Sequence, residues 1–453
     1  MQDIYIVNED CIISLVDFFP SRKRMTFSLT SNILSKTFFM RQSLCPPIQF
    51  GIKKINSFKH VYSLTLLAKL KNISLFRNLT HLSIGKKNNL ECVSGLKNLL
   101  SLEIKSLRLT NVDILTTLTY IQVPLNNIWI IDSLTLLKKL DVSCRLYEIN
   151  ERKPSCDLNR HIHLQTLILP YQNNDTNIFY NIRYLNNLEY ISCYNVDVFA
   201  SGYNLQKLTY LSIDLNRRMP QRRFVGGAEY ENMCKLFYHT QNLQQLELNY
   251  YVSTKIGCLQ KLTHLVLTNV NIGFPLNILM NLKSLILLRV KNDTHNITNT
   301  SLERLKIDQS YGRSLCSLCS FVGNFALLTH LTIKSFRKEL DLSCMLNLKE
   351  LKITHEGKKF LNIHLLTKLT YLYIGRQIGI VKDIISLTNL IILDIGSNKI
   401  NSLKSFVKLK KLYMSPLNVH LFNECGLTNI EKLYLARKNP RMLEIKSNVK
   451  IYT

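Results

Sequence analysis

The sequence predicts an α/β solenoid, many short coils stacked so that their strands form one parallel sheet. Two observations carry this. The phrase L-x-x-L-x-[LIV], with an occasional Cys or Met in the last place, occurs 17 times. Its central apolar residues are Leu82, Leu102, Ile121, Leu140, Leu167, Ile191, Leu211, Leu246, Leu265, Leu285, Leu305, Leu331, Leu351, Leu372, Leu393, Leu412 and Leu433. Of the 16 steps between them, 12 are 19 to 21 residues long. The L-x-L alternation puts two side chains on one side of a short strand. One such strand cannot bury them, but stacked coils line the strands into a sheet with a continuous core. The short period leaves little room for a full helix, so short turns or 3₁₀ pieces are expected on the convex side of a curved, slender solenoid. "VYSLTL", from Val61 to Leu66, reads as an earlier, degenerate copy.

The clearest copy is "LTNLIILDIGSNKI", from Leu387 to Ile400. With Leu387, Leu390, Leu393, Ile395, Asn398 and Ile400 so spaced, the array resembles a leucine-rich repeat over residues ~58 to 445. The resemblance implies a parallel sheet on the concave side and a protein-binding role. Most copies lack the Asn, as in "LKELKITHEG", so an irregular turn after the strand is expected in many coils.

Four steps are long. The longest holds Asp214 to Gln241, where Pro220, Gly226 and Gly227 mark loop and "AEYENMCKLFYHT" reads as a helix. Arg217, Arg218, Arg222 and Arg223 within it read either as an anion-binding loop or as a solvated insertion.

Residues between the core positions face outward on the sheet. That set includes Glu103, Lys139, Asp141, Lys352, Asp394 and a run of tyrosines: Tyr120, Tyr190, Tyr210, Tyr371, Tyr373, Tyr413 and Tyr434. Tyrosine gives large, stiff contact area, which suits protein recognition. The other reading is cross-strand packing that supports the sheet. Acids and bases nearly balance on this face, so most of the net charge of +27 belongs to loops and the convex side. A nucleic-acid groove would place the basic excess where the ligand lies, so this partner ranks behind protein.

The opening residues lack the repeat. Ile12, Leu15, Val16 and Phe19 share one helical face that Pro20 ends. "SRKRMTFSL" reads as a second short helix with Met25 and Leu29 apolar, and "NILSKTFF" as a third behind Ser31. With Glu9-Asp10 in front, Phe19-Pro20 after the first helix and Ser31 at the turn, the segment resembles an F-box. Its departures are Val7-Asn8 for the opening Leu-Pro, Asn32 for Lys and Leu34 for Trp. The resemblance implies that Ile12, Leu15, Phe19, Pro20 and Leu29 bind a Skp1-like adaptor of a cullin ubiquitin ligase while the solenoid holds a substrate. It is similar to the F-box repeat proteins of large DNA viruses and protists. The alternative is a stand-alone binding scaffold whose first residues cap the first coil. The expected organisation is a helical module at 1–45, a linker at 46–57 and the solenoid at 58–453.

Hydrophobic residues make up 46% of the 453-residue chain, which excludes a disordered protein. No apolar run approaches the ~20 residues of a membrane helix, and the acidic start is unlike a signal peptide. Twelve scattered cysteines fit a reduced compartment, cytoplasm first and nucleus second, or a host cytoplasm for a viral protein. Cys316 with Cys319 is a lone pair, and Cys156 with His161 and His163 is weaker, so no metal site is expected. No phosphate-binding Gly loop, G-x-S-x-G or H-E-x-x-H occurs. The expectation is a binding protein without cofactor, not an enzyme.

Overall fold

The computed structural model describes residues 27–31, 34–40, 62–66, 78–85, 93, 95–105, 115–142, 156–169, 179–180, 182–193, 205–214, 234–249, 254–270, 272, 276–290, 301–308, 325–334, 340–354, 360–375, 383–398, 400–435 and 449–452. The chain divides into two units, Met1–Ile213 with Arg217–Thr240, and Asp214–Asn216 with Gln241–Thr453.

In the first unit the strands Ser63–Leu66, His81–Ile84, Ser101–Ile104, Tyr120–Gln122, Lys139–Asp141, Thr166–Ile168, Tyr190–Cys193 and Tyr210–Asp214 pair in chain order, all parallel. In the second, Gln245–Asn249, His264–Thr268, Ser284–Leu288, Arg304–Asp308, His330–Lys334, Glu350–Thr354, Tyr371–Ile374, Ile392–Gly396, Lys411–Met414, Lys432–Leu435 and Lys450–Tyr452 do the same. The fold is a leucine-rich-repeat solenoid.

Each of the 17 central residues lies in a strand and is 2% exposed or less. They pair in register, Leu265 with Leu246 on one side and Leu285 on the other. Burial alternates along the strands, as in His264–Thr268, so the period-2 register holds. The degenerate first copy is a strand, with Leu64 opposite Leu82. One copy escaped the sequence reading: "KIY" forms Lys450–Tyr452, with Ile451 opposite Leu433.

Several connections hold 3₁₀ turns, such as Thr254–Cys258, Leu276–Ile278 and Asp383–Ser386. The insertion after Tyr210–Asp214 does carry a helix, described at residues 234–239; its four arginines lie outside the described residues. A second helix, Val419–Cys425, was not anticipated; Gly426 ends it at φ 59°, a left-handed cap that glycine takes without strain.

The polar residues of the phrase join one coil to the last. The Thr of "LTH" and "LTY" donates its hydroxyl to a carbonyl one coil back: Thr80 to Tyr62 at 2.9 Å, Thr263 to Gln244 at 3.1 Å, Thr370 to Lys349 at 3.1 Å. The residue before the phrase's first core Leu is often Asn or Lys. Asn347 Nδ2 donates to Ala326 O at 2.5 Å, and Lys368 of the next coil donates to Asn347 Oδ1. Asn389 repeats this toward Thr367 O at 2.8 Å and receives Lys408 at 2.8 Å. An Asn can serve both because it is donor and acceptor at once.

The structure corrects the reading of the opening segment. Phe27–Ser31 and Leu34–Met40, expected within the second and third helices, are strands of an antiparallel hairpin. Phe27, Ser28 and Leu29 then pair antiparallel with Leu66, Thr65 and Leu64 of the first repeat strand. Phe27 and Leu29 also fit a period of two, and so short a segment is decided by the sheet edge it meets. The expected first helix, with Ile12, Leu15, Phe19 and Pro20, lies outside the described residues.

Candidate functional site

The solvent side of the sheet is the candidate site, because the strand period places every second side chain there. The sequence-predicted tyrosines are all half-buried on it, and they form separate groups rather than one continuous row. In the first unit Tyr190 and Tyr210 stack, ring centroids 4.1 Å apart and planes within 2°. Tyr120 stands apart from them beneath Lys139, whose Nζ lies 4.6 Å from its ring centre. Burial, with Glu103 and Asp141 adding, pushes the Tyr120 phenol well above its ordinary range. Asp141, expected to be open, is buried at 8% exposure, and its Oδ2 accepts from Gln122 Nε2 at 3.2 Å. The neighbouring strand's Gln covers it, so it adds nothing to an open surface.

In the second unit Tyr371 and Tyr373 share one strand. Lys352 Nζ lies 4.7 Å from the Tyr371 ring centre and 3.6 Å from Glu350 Oε2. Asp394 is opposite Tyr373 on one side and Tyr413 on the other. Burial raises the Asp394 carboxyl, although its Oδ1 accepts from Gly396 N at 3.0 Å. Burial also raises the Tyr371 phenol, with the charges of Asp394 and Glu350 adding.

A third group closes this unit. Tyr413 and Tyr434 stack at 4.1 Å and 4°, and Tyr434 stacks on Tyr452 at 4.8 Å and 18°. Tyr452 was missed because its strand was missed; the signal was the "KIY" spacing, which repeats the "KLY" of Lys411–Tyr413 and Lys432–Tyr434. Elsewhere on the face Lys334 meets Asp308 at 3.4 Å, and His330 Nε2 lies 3.6 Å from Glu350 Oε1.

Leu29, assigned by resemblance to an adaptor-binding surface, is on the hairpin strand opposite Phe38 and Leu64. His161 is fully buried with Nδ1 3.2 Å from Leu134 O, and His163 is exposed, so these two do not converge with Cys156 on a site. Among the described residues no group of three or more His, Cys, Asp or Glu could hold a metal ion. Cys316 and Cys319 lie outside the described residues. No described helix is long and apolar enough to cross a membrane.

Strand register and buried leucines together define the fold class, a leucine-rich-repeat solenoid. No family model matches the chain, and no curated protein matches it. Solved structures do. An internalin, inlF from Listeria monocytogenes, is 16% identical, covering 88% of this chain and 84% of its own, with a TM-score of 0.31. The functional domain of InlJ from Listeria monocytogenes is 16% identical over 80% and 70% of the two chains, TM-score 0.33. A plant peptide hormone receptor, RGFR1 in complex with RGF2, is 14% identical over 86% and 76%, TM-score 0.36. This likeness is to the fold alone and carries no partner over.

Proposed function

We propose that the chain is a protein-binding scaffold that holds its partner on the solvent side of the sheet, without a chemical step of its own. The observation that carries this is the second unit's face, where Tyr371, Tyr373, Tyr413, Tyr434 and Tyr452 stand half-open among lysines. Stiff aromatic area ringed by charge suits protein recognition. The reading includes a reduced, intracellular setting, in keeping with twelve cysteines scattered along the sequence without a framework of fixed spacings.

The narrower reading, a substrate-recruiting F-box subunit of viral or protist type, rests on residues 1–45. It needs helices over residues 27–39, where the chain forms the two hairpin strands that border the first repeat strand. The capped scaffold is therefore the reading carried forward, and pull-down with a Skp1-like protein tests the other.

A photo-crosslinking residue tests the face. Placed at Tyr373 it should trap discrete partner proteins in cells; placed at Lys404, exposed in a connection, it should not. Equal products from both positions, or none from Tyr373, overturn the proposal.

A further inference from the structure

We infer that the last three repeat strands form a docking site for an acidic peptide segment of the partner protein. The inference rests on the scaffold reading and names the chemistry of the ligand.

Lys411, Lys432 and Lys450 are opposite one another in register, and so are Tyr413, Tyr434 and Tyr452. Adjacent strands lie about 4.8 Å apart, so three ammonium stems leave the sheet side by side. Like charges directly opposite destabilise a sheet. Two other cations on this unit's face have a carboxylate, Lys334 with Asp308 and Lys352 with Glu350. Among the described residues none forms an ion pair with Lys411, Lys432 or Lys450. Glu431, close enough for Lys411 and Lys432 to help hold its carboxyl low, is engaged by Lys410 at 3.0 Å. The charge left over calls for an anion from outside.

The tyrosines decide which polyanion. Nucleic acid binds such platforms by stacking bases on open aromatic faces. Here the Tyr413, Tyr434 and Tyr452 rings stack on one another, and Lys432 Nζ lies 5.7 Å from the Tyr452 ring centre. The stack presents chiefly ring edges and phenol hydroxyls beside ammonium groups, with the Tyr413 and Tyr434 phenols hydrogen-bonded to each other and Tyr452 exposed. Both kinds of group donate to carboxylates. The site is bounded on the preceding strand by Ile392, opposite Lys411, and by Asp394, opposite Tyr413. The row of opposed cations thus does not continue onto that strand.

The test uses fluorescence anisotropy of a fluorescein-labelled oligoglutamate peptide with the full chain. The peptide should bind, a neutral oligoglutamine should not, and added salt should release it. The double variant Lys411→Gln/Lys432→Gln should weaken binding by about tenfold or more. Lys97→Gln, an exposed lysine of the first unit, should leave it unchanged. No preference for glutamate over glutamine, salt-indifferent binding, or equal loss in both variants overturns the inference. So does an oligothymidylate that binds as tightly and suffers the same loss, which would make the site one for nucleic acid. If crosslinking at Tyr373 succeeds while the peptide fails, only the acidic ligand is lost. If both fail, the scaffold reading goes too.

Discussion

Asn418 donates its side-chain Nδ2 to the backbone oxygen of Asn398 at 2.8 Å, one coil back. Asn398 in turn reaches Gly375 O at 2.7 Å, Ile374 O at 3.2 Å and Ile395 O at 2.7 Å. Both residues are buried. Two coils whose turns would otherwise leave carbonyls dry are closed by one amide each. The sequence marks Asn398 plainly. It hides Asn418, which lies six residues past Leu412 where Asn398 lies five past Leu393.

Asn398→Ala should therefore lower stability by about 1–3 kcal/mol, since it strands buried acceptors. Asn389→Ala, on the exposed ladder, should cost well under half of that. Urea midpoints of the two variants measure the difference. Equal losses would mean that the buried amide is no better used than the exposed one.

Leu265→Asp should unfold the second unit's sheet locally, at a cost of several kcal/mol for an unpaired buried carboxylate. His264→Asp should be nearly neutral, because His264 is exposed while Leu265 is wholly buried between Leu246 and Leu285. Circular dichroism melts of the pair check it.

Much of this was legible from the sequence because burial repeats with the phrase: one register error would have inverted every face. The Asn and Lys ladder was not read, although the alternation "TNL", "VKL" before the core Leu carries it. Its meaning depends on which carbonyl lies one coil back, which the sequence does not state. The seven tyrosines alternate with buried residues in their strands, but their grouping was not read, since stacking requires two to meet in register, as Tyr190 does with Tyr210. Tyr371 has Ile392 opposite instead.

Asp394→Asn should stabilise the protein slightly at neutral pH, by under about 1 kcal/mol after solvent screening. Burial raises the folded carboxyl above its ordinary value. Between the two values the folded state holds the proton more firmly, so stability falls as pH rises through that window and the charged form stays penalised above it. Asn keeps an oxygen for Gly396 N and removes the charge. The gain should vanish below the ordinary carboxylate range. The Tyr371 phenol should also drop part of the way toward its usual value, because Asp394 is a lesser cause of its rise than burial. Denaturant midpoints against pH, with ultraviolet titration of phenolate, follow both.

The last prediction concerns the hairpin. Removing residues 1–45 takes away the strand Phe27–Ser31 that pairs with Ser63–Leu66. The N–H and C=O groups on that edge would then face water or another chain, the situation that drives edge-to-edge association. Under the cap reading the truncated protein should melt earlier than the full chain and should aggregate with increasing concentration. Under the adaptor reading the same truncation should leave melting unchanged and abolish only the capture of a Skp1-like protein. Differential scanning fluorimetry and light scattering of both chains, run beside the adaptor pull-down, separate the two. A truncated chain that melts like the parent and stays monomeric would remove the cap, whatever the pull-down gives. To tell a lost strand from lost bulk, Leu29→Pro in the full chain should reproduce the effect. A proline there lacks the N–H that a strand residue offers and its ring strains the pairing with Leu64 and Phe38.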